Sequence, residues 1–354
     1  MGRQFSPSVL AVTAATFFVT GCAAGHRGQG PAGVSGIDGG GWESPLSRDH
    51  PLVGRIQDVA GDREVTAKEL AAALAGAEIV LLGEQHDNVD HHRLQARVLQ
   101  DMIAEGRRPA VAFEQLDVEK QAAVDAVLSK PAAGEDESPS ARATALAEAV
   151  DWKKSGWPPF DEYRPVFETA LGGELPIRAA NLSRAAMGHV LAHTTAGAKN
   201  GRAGRVDATH DVELTAEARA SLAADIKESH CGYADDRMTA MMIEAQRRRD
   251  ETMAGAVVKA LAESGPGGVV LISGFGHARS DYGVPIHLRR REPGRRVVSV
   301  AFLEVFPGLD SPGAYADALH APRLPFDYVV FTPRADGEDP CEKFRAGLEK
   351  MKAR

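Results

Sequence analysis

Two short turns in this chain could carry proton or charge chemistry. Gly83-Glu84-Gln85-His86 and Gly274-Phe275-Gly276-His277 both read Gly-x-x-His, and each directly follows an apolar run. A third apolar run, 110–113, ends at Glu114, and a fourth, 176–180, ends at Asn181. An imidazole oriented by a carboxylate can act as a general base toward an ester. Alternatively, Glu84, His86, Glu114 and His277 could share a divalent metal ion that activates water. Arg279, two residues after His277, and Arg184, three after Asn181, supply fixed cations able to stabilise an oxyanion. The plainer alternative is that these side chains cap strand ends and helix starts.

Positioning them requires a sheet. The apolar run at 78–82 leads into a helical pattern from Asn88 to Glu105, where Leu94, Val98 and Met102 recur at four-residue spacing. Gly106 and Pro109 stop that helix, and the strand at 110–113 follows. A strand-helix-strand unit of this kind makes parallel strands. Ligands of open α/β sheets bind beyond the strands' carboxyl ends, where Glu84, His86, Glu114, Asn181 and His277 fall. Glycine is expected to permit the tight turns. Strands at 54–58, 297–303 and 328–331 extend the sheet, and Thr66 with Glu69 forms a capping box. The fold class expected is α/β: a mostly parallel central sheet with helices on both faces and an inserted helical cap subdomain at about 185–262. Asp87 or Asn88 caps the first crossover helix. His91 and His92 in its first turn are expected to be partly exposed, leaving His86 alone to face the site. Trp152, Trp157, Phe160, Tyr163 and Phe167 crowd one stretch; they either offer flat surface to a ligand or pack a loop down.

Composition bounds the class. The chain has 354 residues, 44% hydrophobic and 25% charged, enough for one large α/β domain. A net charge of -8 argues against general nucleic-acid binding. Residues 1–21 read as a targeting segment: Arg3, then an apolar stretch too short to span a bilayer. The stretch ends in Val19-Thr20-Gly21-Cys22, which resembles a bacterial lipobox. That resemblance implies cleavage before Cys22, a lipid on its thiol, and a mature charge of -9, since residues 1–21 hold one Arg and no acid. Residues 22–50 are glycine-rich and read as a tether, 51–335 as the α/β domain and 336–354 as a C-terminal tail or helix. Cys231 and Cys341 remain as an even pair, which in an exported chain favours a disulfide.

No Walker P-loop, no Gly-x-Gly-x-x-Gly, no Gly-x-Ser-x-Gly elbow, no His-Glu-x-x-His and no Cys-x-x-Cys-His occurs. His189 and His193, spaced i, i+4, share a helix face that could ligate a metal or simply be polar. Several pieces together resemble the ChaN-like family of haem-binding lipoproteins. They are the lipobox, Leu82-Gly83-Glu84-Gln85-His86-Asp87-Asn88, Phe113-Glu114, Ala180-Asn181-Leu182-Ser183-Arg184, Ala245-Gln246 with Arg249-Asp250, and Ser273-Gly274-Phe275-Gly276-His277-Ala278-Arg279 followed by Gly283-Val284-Pro285. The wider superfamily is similar to erythromycin esterases and to Tiki/TraB-type membrane metalloproteases. The resemblance implies non-covalent haem binding between paired subunits, and a role in haem or iron uptake at the bacterial envelope. It also implies a polar centre of Glu84, His86, Glu114 and His277, with Arg184 or Arg279 as its cation. Asn181 and Arg184 are carried as candidate haem contacts. No iron ligand carries over by motif. On chemistry alone Tyr233 and His230 rank first, ahead of Tyr163, His189 and His193. The expected partners are therefore haem or another flat apolar ligand, a membrane through the N-terminal lipid, and a second copy of the chain. The competing reading is a metal-dependent or His/Glu-based hydrolase.

Overall fold

Strand β3 (Ile79–Glu84) is buried along its whole length, and its alternate side chains feed two different apolar layers. Val80 and Leu82 join one core with helices from the first half of the chain; Ile79 and Leu81 join the other. That is the pattern of a central strand covered on both faces. The computed structural model describes residues 41–129, 138–188, 212–339, 341, 342 and 345. His189, His193 and Cys22 lie outside the described residues.

The sheet has eight strands in the order β2-β1-β8-β7-β3-β6-β4-β5. Beside β3 these are β1 (Ile56–Asp58), β2 (Arg63–Val65), β4 (Ala110–Asp117), β5 (Ile177–Asn181), β6 (Val269–Gly274), β7 (Val297–Glu304) and β8 (Tyr328–Thr332). From β8 to β5 all neighbours are parallel; β1 and β2 close one edge antiparallel. The expected fold class is therefore the observed one. The short β2 escapes a sequence reading because it is three mostly polar residues at an edge.

One face carries α1 (Ala67–Ala75), α2 (Val89–Ala104), α3 (Gln121–Leu128), α4 (Pro139–Ala149) and α5 (Phe160–Gly172). Thr66 caps α1 in the expected box with Glu69, and Asn88 caps α2. Between β5 and β6 come α6 (Ala216–Ser229) and the 29-residue α7 (Asp236–Ser264). The inserted α7 does more than cap. Met253, Ala254, Val257 and Leu261 in its second half pack on the sheet's other face, beside α9 (Val284–Arg291). Its first half pairs with α6 around Leu222, Ile226, Ile243 and Tyr282. The turn Phe275–Ala278 (α8) directly follows β6, and α10 (Pro312–Ala318) precedes β8. Among the described residues no helix is long and apolar enough to cross a membrane.

Two ties depart from the sequence reading or complete it. Residues 41–50, expected within the tether, belong to the domain. The backbone amides of Glu43 and Ser44 donate to the buried carboxylate of Asp90 at 3.0 and 2.8 Å, and Leu46 bridges to Arg334. Polar residues look like linker in sequence, but their anchor is non-local. Cys231, at the α6–α7 corner, is disulfide-bonded to Cys341, with their Cα atoms 5.5 Å apart.

Candidate functional site

Strands β3, β6, β4 and β5 are consecutive neighbours, so their carboxyl ends bring Glu84, Gly274, Glu114 and Asn181 to one edge. His86 and His277 follow two of these ends. A cavity of about 470 Å³ opens there, lined by all six residues with Asp117, Trp157, Arg184, Gln246 and Arg249.

The glycines act by allowing close approach rather than by turning. A Cβ on Gly83 would lie 2.7 Å from the Phe275 Cα, and one on Gly274 would lie 2.9 Å from Cε1 and Nε2 of His86. Neither has positive φ. Backbone and ring therefore meet where a side chain would clash.

Glu84 is the most heavily bonded group. Its Oε1 accepts from the Tyr163 hydroxyl at 2.5 Å, His86 Nδ1 at 2.9 Å and Gln115 Nε2 at 2.9 Å; its Oε2 accepts from Gln95 Nε2 at 2.7 Å. Burial alone would raise its pKa, but the field of His92 and the hydrogen bond from His86 hold it well below the usual carboxylate range. On His86, burial is outweighed by Glu84 and Glu114, so its pKa is raised. Its Nδ1–H faces Glu84, which leaves Nε2 as the atom able to exchange a proton. The side chain is 38% exposed, and the Trp157 ring meets it edge-on at 4.8 Å.

The second histidine is enclosed by acids. His277 Nδ1 lies 2.6 Å from Asp250 and Nε2 lies 3.2 Å from Glu114. Burial alone would lower its pKa, yet Glu114 and Asp250 raise it to about 10, so the ring is an imidazolium. Glu114 also accepts from the Gly274 amide at 2.7 Å. Burial raises Asp250. The centre is thus two imidazole–carboxylate pairs facing one cavity, competent to take a proton at His86 and to hold charge beside two arginines.

Several expectations need correction. His91 and His92 are fully buried, not partly exposed. His92 stacks on Tyr163 at 3.9 Å, with Nδ1 donating to the Glu162 carbonyl. His91 accepts the Gln85 amide at Nδ1 and reaches Thr332 with Nε2; burial lowers its pKa to about 3. Tyr163 is no candidate for an iron ligand, because its hydroxyl is spent on Glu84 and its ring is buried. Arg279 does not supply the site's cation. Its guanidinium is fully buried, bonded to Asp225, Asp281, Ser221 and the Leu319 carbonyl, and pins α6 to the turn after β6. Arg184 and Arg249 line the cavity instead. Of the aromatic stretch, Trp152, Phe160, Tyr163 and Phe167 pack the local core, and Trp157 alone lines the cavity.

The divalent-metal reading gains no support from the geometry. Among the described residues no group of three or more His, Cys, Asp or Glu is arranged to hold an ion. Glu84 is instead engaged within the protein, Oε1 by phenol, imidazole and amide donors and Oε2 by the Gln95 amide. Sequence reasoning named Gln246 and Asp250 only as pieces of the family resemblance and gave them no role in the site. With Arg249 they sit at i, i+3 and i+4 of one helix, and that shared face was the available signal.

The remaining candidates, His230 and Tyr233, lie at the α6–α7 corner rather than at this cavity. A second, apolar cavity of about 770 Å³ reaches Ser229 and Cys341 at that corner. Its lining includes Ile226, Phe275, Phe302, Phe306, Tyr315 and Cys341, and it shares Gln246, Phe275 and Gly276 with the polar one.

Comparison with known proteins gives this geometry a context. A search among curated proteins found no match. Among solved structures the chain is similar to one described as cofacial heme binding to ChaN of Campylobacter jejuni. The TM-score is 0.58 at 21% identity, covering 78% of this chain and 95% of that one, which is a likeness of fold. Weaker similarity extends to the type III effector HopBA1 (TM-score 0.44, 10% identity, 75% of this chain and 92% of that one). It extends also to a mutant of the erythromycin esterase EreC in its open conformation (0.40, 16%, 77% and 95%). A family model described as haem-binding uptake, Tiki superfamily, ChaN matches residues 70–288, from within α1 to within α9 and across the whole polar centre. The chain therefore belongs to the ChaN family of haem-binding uptake proteins.

Proposed function

We propose that this protein is a lipid-anchored component of the bacterial envelope, outside the cytoplasm, that binds haem non-covalently, in haem or iron uptake or storage. Family membership supports haem as the ligand. The lipobox at Cys22 supports the anchor.

The observation that carries the reading is the surface at the α6–α7 corner. Tyr233 is 55% exposed, and Met238 and Met241 are 44% and 37% exposed. Tyr233 lies in the corner loop three residues after His230, and Met238 and Met241 follow in the first turns of α7, chemistry that suits a porphyrin face and its iron. His230 fits the role of ligand. Its Nδ1–H donates to the Ile226 carbonyl at 2.7 Å, which orients the ring. The Cys231–Cys341 disulfide holds the corner in place. A surface of this kind covers one face of a flat ligand, so a second copy of the chain is proposed to cover the other. When bound, haem would be held by His230 or Tyr233, whose nitrogen or phenolate would donate to its iron. The protein's part is to present that donor and exclude water.

The test is a hemin titration of the purified chain, followed at the Soret band. The expected result is a saturable shift, weakened in Tyr233→Phe or His230→Ala, with a change of oligomeric state by light scattering. An unchanged spectrum in both variants overturns the ligand assignment, and no shift in the wild type overturns the haem reading. Ester or peptide turnover lost in His86→Ala would favour the hydrolase instead.

A further inference from the structure

We propose that the polar cavity at the β3–β6–β4–β5 edge is an oxyanion site that takes a small ligand carrying a carboxylate or phosphate, clamped between Arg184 and Arg249. This inference stands apart from haem binding at the α6–α7 corner.

The inner carboxylates of the cavity are already engaged. Glu84 is saturated by Tyr163, His86, Gln95 and Gln115. Glu114 is held by the Gly274 amide and His277, and Asp250 lies behind His277. Each inner carboxylate thus has an imidazole partner within the protein. The two arginines do not have such partners. Among the described residues neither guanidinium makes a hydrogen bond or an ion pair, although both line the cavity, and Nε of Arg249 is shut off from solvent with no partner. The neighbouring arginines on the same helix behave differently. Arg247 and Arg248 both pair with Glu244, and Arg248 also with Glu251. Asp117 is the remaining acid on the wall, and no ion pair links it to either arginine. Two forked cations thus stand on this wall with one acid, Asp117, which feels the charge of both without an ion pair to either.

A guanidinium fork matches the geometry of a carboxylate or a phosphate, and two forks on one wall grip such a group from two sides. Arg184 comes from the segment after β5 and Arg249 from α7, so the clamp spans the sheet and the inserted helices. Gly156 makes room for it: a Cβ there would lie 2.9 Å from Nη2 of Arg184. Trp157 beside it offers a flat apolar surface to whatever the oxyanion is attached to. A cavity of about 470 Å³ admits a ligand of one ring with its substituents rather than a macromolecule. The ligand class is therefore a small aryl or similarly flat molecule with one oxyanion.

The test uses calorimetric titration of the full chain with phenylacetate and phenyl phosphate, and with neutral phenylacetamide as the isostere. The expected result is saturable binding of one or both anions, roughly tenfold or more tighter than the amide. Which anion wins identifies carboxylate or phosphate as the natural group. Arg184→Gln and Arg249→Gln should each weaken the anion roughly tenfold, and the exposed Arg290→Gln should leave it unchanged. Melting temperatures within a degree or two of the wild type confirm that both variants fold, because neither side chain bonds to a described residue. Arg249→Lys, which keeps the charge but loses the fork, should fall between. Equal binding of anion and amide, no binding at millimolar concentration, or full affinity in both glutamine variants overturns the proposal. Hemin titrated into the same proteins keeps the two readings apart. A missing Soret shift in the wild type defeats the haem reading alone, and retained phenyl phosphate affinity in both arginine variants defeats this one alone.

Discussion

Replacing Tyr163 by Phe removes one oxygen from the most densely bonded part of the molecule. That hydroxyl donates a 2.5 Å hydrogen bond to a carboxylate with no solvent exposure. The ring itself stays useful: it stacks on His92 at 3.9 Å and touches Trp152 at 5.3 Å, contacts that Phe preserves. The loss is therefore one charge-assisted hydrogen bond without a cavity, about 2 kcal/mol. At roughly 2 °C per kcal/mol for a domain of this size, the melting temperature should fall by about 4 °C. Urea unfolding should show a lower midpoint with an unchanged slope. The pH dependence has a definite sign. Glu84 is held below its unfolded value, so its contribution is present above the ordinary carboxylate range and is lost as pH falls. Removing a donor lets its pKa rise, which moves the acid limb of the stability curve to higher pH. A double-mutant cycle with Glu84→Gln isolates the pair. A coupling below about 0.5 kcal/mol, or an acid limb that does not move, would refute the account of Glu84 as a buried anion held by its donors.

Gly274→Ala should destabilise by about 1–3 kcal/mol through overpacking, because its Cβ would sit 2.9 Å from the His86 ring. A urea midpoint equal to the wild type would show that the ring is not seated there. His277 should remain protonated across neutral pH in an NMR titration. Its contribution to stability is full below the ordinary histidine value of 6.5 and is lost as pH rises toward about 10. Asp250→Asn should bring the midpoint down, and titration of the wild-type ring near 6.5 would contradict the acid enclosure. Reducing Cys231–Cys341, which lie 110 residues apart, should lower stability by up to about 4–5 kcal/mol on the chain-entropy model. Identical unfolding with and without reductant would mean that the closed loop is already restrained.

Much of the site was legible because its signals are local. Short apolar runs, each ending in a polar residue, identify strand ends, and a parallel sheet brings those ends together whatever the strand order. What stayed hidden depends on direction in space. Arg279 is two residues from His277, yet it leaves the turn on the opposite side and enters a ring of acids and carbonyls around α6. His91 and His92 look polar and exposed at a helix start, and residues far along the chain, among them Thr332, Phe302 and Tyr163, cover them. Gln246, Arg249 and Asp250 share a helix face in the sequence. Which side of a 29-residue helix meets the sheet is decided by Met253, Val257 and Leu261 further along it.

The place of β6 in the strand order has a consequence for how the chain reaches its native state. Strands β3 and β4 are not neighbours; β6 lies between them, and it is made after the whole helical insertion. Until residues 269–274 arrive, β3 and β4 each lack a ladder partner on their facing edges. Glu84 and Glu114 also lack the framework that sets them side by side. The strand that joins β3 to β4 also delivers His277, the cation that neutralises Glu114, directly behind it. Joining β3 to β4 and compensating the buried charge are thus one non-local step, of the kind that makes folding slow. A chain truncated before residue 269 would have no half-built site to retain.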